Sequence, residues 1–391
     1  MRVLMVHGFY RQPGGEDRSF REEAGLLERN GVEVETFTMD NDDIASWSAA
    51  EKAAGLVWNR RIRRQVSEVI GRFAPDVIHV QNVFPGLSPS VYAAAGAAGV
   101  PVVQKLSNFR PMCVNGLLFR DGKVCHDCLH SKVAWRGAAR GCFRGSRPMS
   151  TAVALSQGLH RMLGTWSRRV QAFITLDGHG RSVYIEAGFP AERIHVKPNF
   201  LDPFPAVGAG DGGYALFVGR IAPGKGVETL VRAWTPDLPP LKVVGDGPLL
   251  GQVTGVAGGH IEFLGRREPD EVRELMGRAV LQVVPSEFDE PFGRTALEAM
   301  GVGTPVLASM AGALSGVVRD GVSGAHFETG SADALRAAAR ALLADSGTLP
   351  ALRPTTRRDA IARFSGPENF RILMDIYRKA GVPAPAFADA A

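Results

Sequence analysis

The sequence has no apolar run long enough to cross a membrane. Residues 91–103 are apolar but are interrupted by glycines and a proline, whereas a spanning helix needs about 18 or more consecutive apolar residues. The chain opens directly with a strand-like segment, residues 1–6, so we expect no signal peptide. We therefore expect a cytoplasmic protein with at most peripheral contact with the inner face of a membrane.

Neither sign of charge is in large excess. The 45 Lys and Arg against 40 Asp and Glu give a formal net charge of +5 over 391 residues. This balance permits an anionic substrate or membrane surface without demanding one, and we expect no nucleic-acid partner. The hydrophobic share of 45% and the charged share of 22% are typical of globular proteins, and the length suffices for two domains.

Cysteine is scarce and confined to one segment. The four cysteines all fall between residues 113 and 142: Cys113, Cys125, Cys128 and Cys142. The Cys-His-Asp-Cys run at 125–128 has metal-ligand spacing, and in a cytoplasmic protein zinc is favoured over disulfides. We predict a structural zinc site, closed by its four ligands and so not catalytic. The gaps fit no standard zinc module, so free thiols and disulfides remain alternatives.

The remaining sequence alternates between strand and helix patterns. Residues 1–6, a glycine loop, a helix at 19–28 and a strand at 32–37 form a βαβ start to a parallel sheet. A second series of βα units begins at residue 215, after a Gly- and Pro-rich linker. These patterns predict an α/β protein with two doubly wound, Rossmann-like domains facing a cleft. The predicted units are 1–200, with a cysteine-containing insertion at about 107–147, then 201–365, a last helix at 366–381 and a disordered tail at 382–391.

Two polar features of the first unit have plain alternatives. Gly14-Gly15 is not a Gly-x-Gly-x-x-Gly fingerprint, so a dinucleotide is disfavoured, but the pair would let backbone approach a ligand closely unless it is only a turn. A basic helix at 59–70 follows Trp58; it predicts a solvated face, with contact to anionic lipid or a diphosphate-linked acceptor as the alternative.

Residues 219–226 nearly spell a phosphate-binding P-loop. The Ser or Thr that would hold magnesium is replaced by Gly226, and Pro223 removes one loop N–H donor. Arg220 and Lys225 remain, two cations suited to a diphosphate without a metal. A P-loop-like phosphotransferase is therefore only a rival interpretation.

Residues 285–300 place two carboxylates around the start of a helix. The apolar strand at 279–284 leads to Glu290, and Pro291 suits the first turn of a helix. We expect Glu298 about two turns inside that helix, on the same face as Arg294. Helix-start N–H groups could hold a phosphate or a sugar hydroxyl, and a polyhydroxylated ligand would be a partner for Glu298. A solvated face with a capping Glu is the alternative.

The ordered set of motifs resembles the family 4 retaining glycosyltransferases of the GT-B fold. It consists of Gly219-Arg220 with Lys225-Gly226, then Gly245-Asp246-Gly247-Pro248, then Glu290 and Glu298 separated by seven residues. Gly14-Gly15-Glu16, the strand containing His79, and Pro198-Asn199 resemble the same family, so the similarity runs over nearly the whole chain. Residues 119–128 resemble a bacterial subgroup linked to exopolysaccharide or cell-surface glycan assembly.

The resemblance implies roles for the charged residues. Arg220 and Lys225 would hold the pyrophosphate of a nucleotide diphosphate-sugar, with a UDP-sugar favoured, and Glu298 would accept hydrogen bonds from the ribose. Glu290 would meet the sugar hydroxyls. The acceptor would be a hydroxyl of a glycan, a lipid-linked saccharide or a small molecule. Front-side attack, with the leaving phosphate oxygen taking the proton, would retain the anomeric configuration and need no catalytic metal.

The resemblance also implies backbone contacts. The N–H groups of Phe292 and Gly293 would lie near the diphosphate, and the backbone around Arg266 would contact the base. Gly14 and Gly15 would approach the sugar or phosphate from the first domain. The same donor site would include the strand-end glycines Gly219 and Gly245.

The chain departs from the family pattern at Ser107. The family usually has a histidine before Asn108 that contacts the donor sugar, and a serine keeps a hydrogen bond but cannot become cationic. Gln81 also replaces a frequent histidine. We retain Ser107 as a donor-site residue. The substitution favours, as an alternative, a protein that binds a sugar nucleotide without turning it over.

Overall fold

In a computed structural model the described residues are 1–11, 14–44 and 47–383. The predicted disordered tail lies outside this description from residue 384 onward. No helix within the described ranges combines the length and apolar character that a membrane crossing needs.

The first half of the chain forms a six-stranded parallel sheet with strand order β2-β1-β3-β4-β7-β8. The strands of this half are β1 (Arg2–Phe9), β2 (Glu33–Asp40), β3 (Val77–Asn82), β4 (Val102–Leu106), β5 (Phe119–Arg120), β6 (Lys123–Val124), β7 (Ala172–Thr175) and β8 (Ile194–Val196). Strands β3, β4 and β7 are buried along their whole length, as parallel strands covered on both faces are. Strands β5 and β6 form a separate antiparallel pair within the cysteine-containing segment.

The second half forms another six-stranded parallel sheet, with strand order β11-β10-β9-β12-β13-β14. Its strands are β9 (Ala215–Val218), β10 (Leu241–Val244), β11 (Ile261–Gly265), β12 (Leu281–Val284), β13 (Val306–Ser309) and β14 (Gly324–Phe327). The predicted α/β architecture with two doubly wound sheets is confirmed.

Helices connect the strands of both sheets. They are α1 (Gly15–Arg29), α2 (Ala49–Val57), α3 (Arg60–Phe73), α4 (Ser90–Ala98), α5 (Trp135–Ala139), α6 (Arg147–Met162), α7 (Thr165–Arg169), α8 (Gly178–Glu186), α9 (Val227–Ala233), α10 (Leu250–Thr254), α11 (Pro269–Arg278), α12 (Arg294–Gly301), α13 (Leu314–Val317), α14 (Ala332–Leu343), α15 (Thr348–Phe364) and α16 (Gly366–Lys379), with a 3-10 turn at Ala191–Arg193. In α3 the arginines are exposed, while Ile62, Val66 and Ile70 are buried.

Helix α1 begins four residues earlier than the predicted residue 19. The carboxylate of Asp17 accepts a hydrogen bond from the backbone N–H of Gly14 at 3.0 Å, which satisfies a donor that the start of a helix otherwise leaves free. The glycine pair is therefore the entry to the helix and not a loop that precedes it. This places the first turn of α1 at the carboxyl end of β1.

The last helix, α16, packs on the first sheet although it follows the second along the chain. Leu373, Ile376 and Tyr377 join a core cluster with strand residues of β1 and β4. The Tyr377 hydroxyl also lies 2.7 Å from Nδ1 of the buried His79 on β3. Both sheets therefore contribute to one connected structure with a cleft between them.

Candidate active site

A pocket of about 270 Å³ lies between the two halves of the chain. It is lined by Gly15, Glu16, Ser19, Ser107, Leu176 and Asn199 from the first half, and by Lys225, Glu290, Pro291, Phe292, Gly293, Arg294 and Thr295 from the second. Six of the predicted site residues thus meet at one place, although they come from segments up to 278 positions apart in the sequence.

Glu290 and Lys225 form an ion pair on the wall of this pocket. The Lys225 ammonium lies 2.8 Å from Oε2 of Glu290, and the hydroxyl of Ser286 donates to the same oxygen at 2.9 Å. The ammonium also stands 4.7 Å from the centre of the Phe288 ring. The Glu290 backbone is fixed as well, because its carbonyl accepts from the N–H of Ala313 at 2.9 Å. Both charged groups are therefore held in place before any ligand binds.

Helix α12 starts later than predicted. Gly293 is its N-cap, in the left-handed conformation with φ +85°, and a Cβ there would stand 2.4 Å from a side-chain carbon of Leu314. Pro291 consequently precedes the helix, and Glu298 lies little more than one turn inside it instead of two. The N–H groups of Phe292 and Gly293 have no acceptor within the described part of the chain, so they are available to an anion at the helix start.

Glycine turns bring Lys225 beside Glu290. Gly226 has φ +69°, and a Cβ there would stand 1.8 Å from the carbonyl oxygen of Pro285. Gly245 has φ +143°, and its Cβ would stand 1.9 Å from the carbonyl oxygen of Gly219. Neither position can hold a side chain without moving the backbone, which explains why glycine occupies both.

Several predicted donor residues lie outside the pocket. Gly219, Gly245 and Arg266 follow β9, β10 and β11 and form a row at the carboxyl edge of the second sheet. Arg220 is exposed and has no ion-pair partner among the described residues. Gly14 lies at the start of α1, next to Gly15, whose added Cβ would stand 3.0 Å from the Arg294 side chain.

Glu298 makes a contact across the cleft that the sequence did not reveal. Nη1 of Arg18 on α1 lies 2.7 Å from Oε1 of Glu298. Arg294 in turn lies 2.9 Å from Glu22 of α1 and 3.8 Å from Glu298. Arg18, Glu22 and Glu298 line a second pocket of about 460 Å³ beside the first. Helices α1 and α12 are thus joined by complementary charges.

Glu16 is a pocket residue that sequence analysis did not assign. Its carboxylate accepts hydrogen bonds from Nδ2 of Asn108 at 2.8 Å and from the hydroxyl of Tyr10 at 3.1 Å. Burial raises the pKa of Glu16, and these two hydrogen bonds oppose that rise. The sequence signal that could have identified Glu16 is its position directly after Gly14-Gly15, where the backbone was expected to approach a ligand.

A buried charge cluster lies beneath the pocket. Glu23 of α1 is fully buried and contacts Nζ of Lys197 at 2.7 Å and Nζ of Lys105 at 2.9 Å. Burial alone would raise the pKa of Glu23, but the two ammonium groups outweigh it and hold that pKa well below its usual range. Burial lowers the pKa of Lys197 to about 8. Lys105 also donates to Ser19, which lines the pocket, so the cluster supports the cleft floor.

The cysteine-containing segment contacts the second half next to the Lys225–Glu290 pair. Asp289 is buried and accepts hydrogen bonds from Nε2 of His126 at 2.8 Å and of His179 at 3.1 Å. The ring of Phe119 meets the ring of Phe288 edge-on, 6.4 Å between centres. The hydrogen bond to Asp289 raises the pKa of His179. This segment therefore forms one side of the cleft and is not a remote insertion.

The four cysteines are free thiols in the structure. Burial raises the pKa of the Cys128 thiol, and the charges of Cys113, Cys142 and Cys125 act in the same direction. In the described ranges, no group of three or more His, Cys, Asp or Glu side chains is arranged to hold a metal ion. The zinc site stays a prediction.

Two family models match the chain, one over each half. The Glycosyl transferase 4-like domain matches residues 14–199, and Glycosyl transferases group 1 matches residues 204–359. Together they cover both sheets apart from β1, and all the residues that line the cleft pocket. The chain therefore belongs to the glycosyltransferases of the GT-B fold.

Individual proteins agree with this membership. The chain is 37% identical over 131 residues to the uncharacterized glycosyltransferase MJ1178 of Methanocaldococcus jannaschii. The matched segment makes up 32% of this chain and 37% of that protein. It is 35% identical over 193 residues to the D-inositol 3-phosphate glycosyltransferase of Acidothermus cellulolyticus, 44% of this chain and 42% of that protein. The chain thus spans less than half the length of these curated relatives.

Solved structures resemble the whole chain. The crystal structure of Anabaena Alr3699/HepE in complex with UDP has a TM-score of 0.68 at 19% identity and covers 96% of this chain and 99% of that one. Sucrose-phosphate synthase of Thermosynechococcus elongatus has a TM-score of 0.70 at 18% identity, with 97% and 98% covered. These likenesses establish the fold.

Proposed function

We propose that the protein transfers a sugar, with retention of anomeric configuration, from a UDP-sugar to a hydroxyl of a glycan, a lipid-linked saccharide or a small molecule. The observation that carries the proposal is the Lys225–Glu290 pair in the cleft, beside the unpaired N–H groups of Phe292 and Gly293. One wall thus offers a cation and two N–H donors to a diphosphate, and a carboxylate to sugar hydroxyls. The similar HepE has been solved with UDP and with UDP-glucose.

Each charged residue has a place in the reaction. The bond from the anomeric carbon to the phosphate oxygen breaks while a bond to the acceptor oxygen forms on the same face, and the acceptor proton passes to the leaving phosphate. The leaving diphosphate gains charge, which Lys225 and Arg220 stabilise without reorganisation. Glu290 orients a sugar hydroxyl, and Glu298 accepts from the ribose. A protein nucleophile and a catalytic metal are unnecessary on this path.

The other predicted residues complete the donor site in this proposal. The row at the second sheet edge holds the nucleotide, with the backbone around Arg266 at the base. Gly15 and Ser107 face the sugar from the first half. Residues 1–200 then form the acceptor domain and 201–365 the donor domain, with 366–381 returning to the first. The protein would act in the bacterial assembly of exopolysaccharide or cell-surface glycan.

A thermal-shift screen with UDP, GDP, ADP and dTDP and their sugar derivatives, with and without magnesium, tests the donor. A ligand at a hundred times its Kd adds about 2.7 kcal/mol to the stability of the folded state. We expect stabilisation by UDP that does not require magnesium. Stabilisation only by a triphosphate with magnesium would favour the phosphotransferase and end the transferase proposal.

A second measurement addresses retention and turnover. Slow transfer of the donor sugar to water gives a free sugar whose first anomer is visible by proton NMR before it equilibrates. We expect the anomer of the donor to form first. The presence of Ser107 on the pocket wall favours the alternative of a non-catalytic sugar-nucleotide-binding protein. Stabilisation by UDP-sugars without hydrolysis or transfer would support that alternative.

A further inference from the structure

The carboxylate of Asp289 belongs to the second half of the chain, but its hydrogen-bond donors belong to the first. Nε2 of His126 lies 2.8 Å from Oδ2, and Nε2 of His179 lies 3.1 Å from Oδ1, so each imidazole has its own carboxylate oxygen. Among the described residues of the second half, none donates to this carboxylate. The Asp289 side chain is only 7% exposed, and a buried carboxylate without partners is costly. Contact between the two halves therefore compensates the burial of Asp289.

The Asp289 carboxylate is ionised, and both histidines donate to it. Burial alone would raise the pKa of Asp289, but the hydrogen bonds from His179 and His126 outweigh burial and lower that pKa. An ionised carboxylate only accepts hydrogen bonds, so Nε2 of each imidazole carries a proton. The histidine of the Cys-His-Asp-Cys run at 125–128 thus makes a contact that the metal-ligand spacing did not indicate.

Both histidines are held in place by the first half itself. His179 is the second residue of α8, and its backbone N–H donates at 2.9 Å to the carboxylate of Asp177, the N-cap of that helix. The carbonyl oxygen of His126 accepts from the N–H of Leu129 at 3.0 Å, which closes a turn. The two donors therefore stand on ordered backbone before they meet Asp289.

The backbone next to Asp289 is fixed to the second half. A Cβ on Gly312 would stand 2.6 Å from both the backbone nitrogen and the carbonyl oxygen of Glu290, and that oxygen accepts from the N–H of Ala313 at 2.9 Å. The Glu290 side chain in turn pairs with Lys225 in the cleft. A contact that holds Asp289 therefore also sets the position of the Lys225–Glu290 wall relative to the first half.

The walls of the cleft pocket come from both halves, with Ser107 on one wall and Glu290 on the other. We propose that His126, His179 and Asp289 form a clasp that closes the cleft and positions these two walls around the donor sugar. The effect of the clasp on turnover rests on the proposed function, whereas its effect on closure does not. The three residues act by positioning, since the described lining of the pocket includes none of them.

Small-angle X-ray scattering of the full chain without ligand tests the closure. His126→Ala combined with His179→Ala removes both donors, and Asp289→Ala removes the acceptor. We expect both variants to have a larger radius of gyration than the unmodified protein, and the triple variant to open no further, because all three side chains make one contact. His130→Ala is the matched control: His130 pairs with the carboxylate of Glu186 at 3.3 Å, but both residues lie in the first half.

Turnover and donor affinity separate positioning from a general loss of structure. The residues proposed to bind the UDP part of the donor lie in the second half, so the Kd for UDP in calorimetry should stay the same in the clasp variants. Turnover should fall about tenfold or more, because a misplacement on the order of 1 Å can cost about 100-fold. If Asp289→Ala fails to fold, the histidine variants carry the test, since the side chains of His126 and His179 are 40% and 33% exposed.

The outcomes separate the clasp from the proposed function. An unchanged radius of gyration in the clasp variants of a protein that binds UDP would overturn the clasp and leave the donor site standing. Opening without loss of turnover, or loss of UDP binding together with turnover, would overturn the positioning role. Opening of the variants in a protein that does not bind UDP would support the clasp while the transferase proposal fails.

Discussion

Replacement of Lys225 by Met removes the ammonium that the cleft holds beside Glu290. In the structure Nζ lies 2.8 Å from the Glu290 carboxylate, and the Lys225 side chain is 33% exposed, so a diphosphate can reach it. A charge-assisted hydrogen bond contributes about 1.5–3 kcal/mol. Loss of that contact alone corresponds to a UDP affinity weaker by about 10- to 150-fold.

Loss of the Lys225 ammonium should also weaken UDP binding through its effect on Glu290. Lys225 is the one ion-pair partner that Glu290 has among the described residues, and the Glu290 side chain is only 11% exposed. Without the ammonium, Ser286 still donates, but the carboxylate keeps an uncompensated charge on the wall that receives the diphosphate. Two unit charges 4 Å apart repel by about 4 kcal/mol at an effective dielectric constant near 20. Lys225→Met should therefore weaken the binding of UDP about 100-fold or more.

This reasoning predicts the sign of a double-mutant cycle. Calorimetric titration with UDP of the unmodified protein, Lys225→Met, Glu290→Gln and the double variant gives the coupling directly. Glu290→Gln alone should change the Kd by less than about threefold, although it cuts turnover, because the cation remains. The double variant should bind UDP more tightly than Lys225→Met. Lys132→Met, at an exposed position, is the control.

The reasoning is refuted if the double variant binds UDP as weakly as Lys225→Met or more weakly, because Glu290 would then not repel the diphosphate. Unchanged affinity of Lys225→Met would remove Lys225 from the diphosphate site altogether. In that case Arg220 would be the remaining cation of the predicted pair, and Arg220→Ala should carry the loss instead.

Three further predictions concern stability and contacts around the cleft. Burial lowers the pKa of His79 to about 4, whereas the unfolded state takes up the same proton near pH 6.5. Stability should therefore fall by about 3 kcal/mol as the pH falls from 6.5 to 4. His79→Gln should flatten this part of the plot of unfolding free energy, measured with urea, against pH; an identical slope in the variant would contradict the prediction. Glu298→Gln should weaken UDP binding about tenfold or more. Arg18→Ala should change the Kd for UDP less than about threefold, because the exposed ion pair between Arg18 and Glu298 contributes only about 0.2–1 kcal/mol. Equal losses of UDP affinity in calorimetry would place the ribose away from Glu298. Elemental analysis should find about one zinc per chain, absent in Cys128→Ser, and its absence from the unmodified protein would leave only thiols or disulfides.

The sheets and the donor wall were predictable because their signals are local. Buried parallel strands are short apolar runs such as residues 215–218, and glycine directly follows β9 and β10 where these strands turn into loops. Gly226 and Gly245 admit no side chain, because another part of the backbone lies against each of them. A glycine at these positions in the sequence therefore indicates a close backbone contact. The order of such segments defines two βα series and the edge at which a ligand binds.

The contacts across the cleft were not predictable in this way. Arg18 and Glu298 are 280 positions apart, and His126 and Asp289 are 163 apart, so no periodicity within one element relates them. The start of α12 was also misplaced, because proline at 291 and glycine at 293 both suit a helix start, and only the packing of Gly293 against Leu314 decides between them. Local patterns specify elements, and packing between elements fixes their ends.

The buried cluster under the cleft explains why the last helix returns to the first sheet. A buried carboxylate such as Glu23 is tolerated only with partners that remain in place, and Lys197 is one of them. Lys197 also donates to Oδ1 of Asn369 on α16 at 2.8 Å, and Nδ2 of Asn369 donates to the carbonyl oxygen of Pro198 at 2.6 Å. The next residue along, Asn199, lines the cleft. Because α16 supplies these bonds, removal of the helix would leave the Lys197 ammonium under-bonded directly beneath the site, so the C-terminal helix is part of the cleft floor as well as of the core.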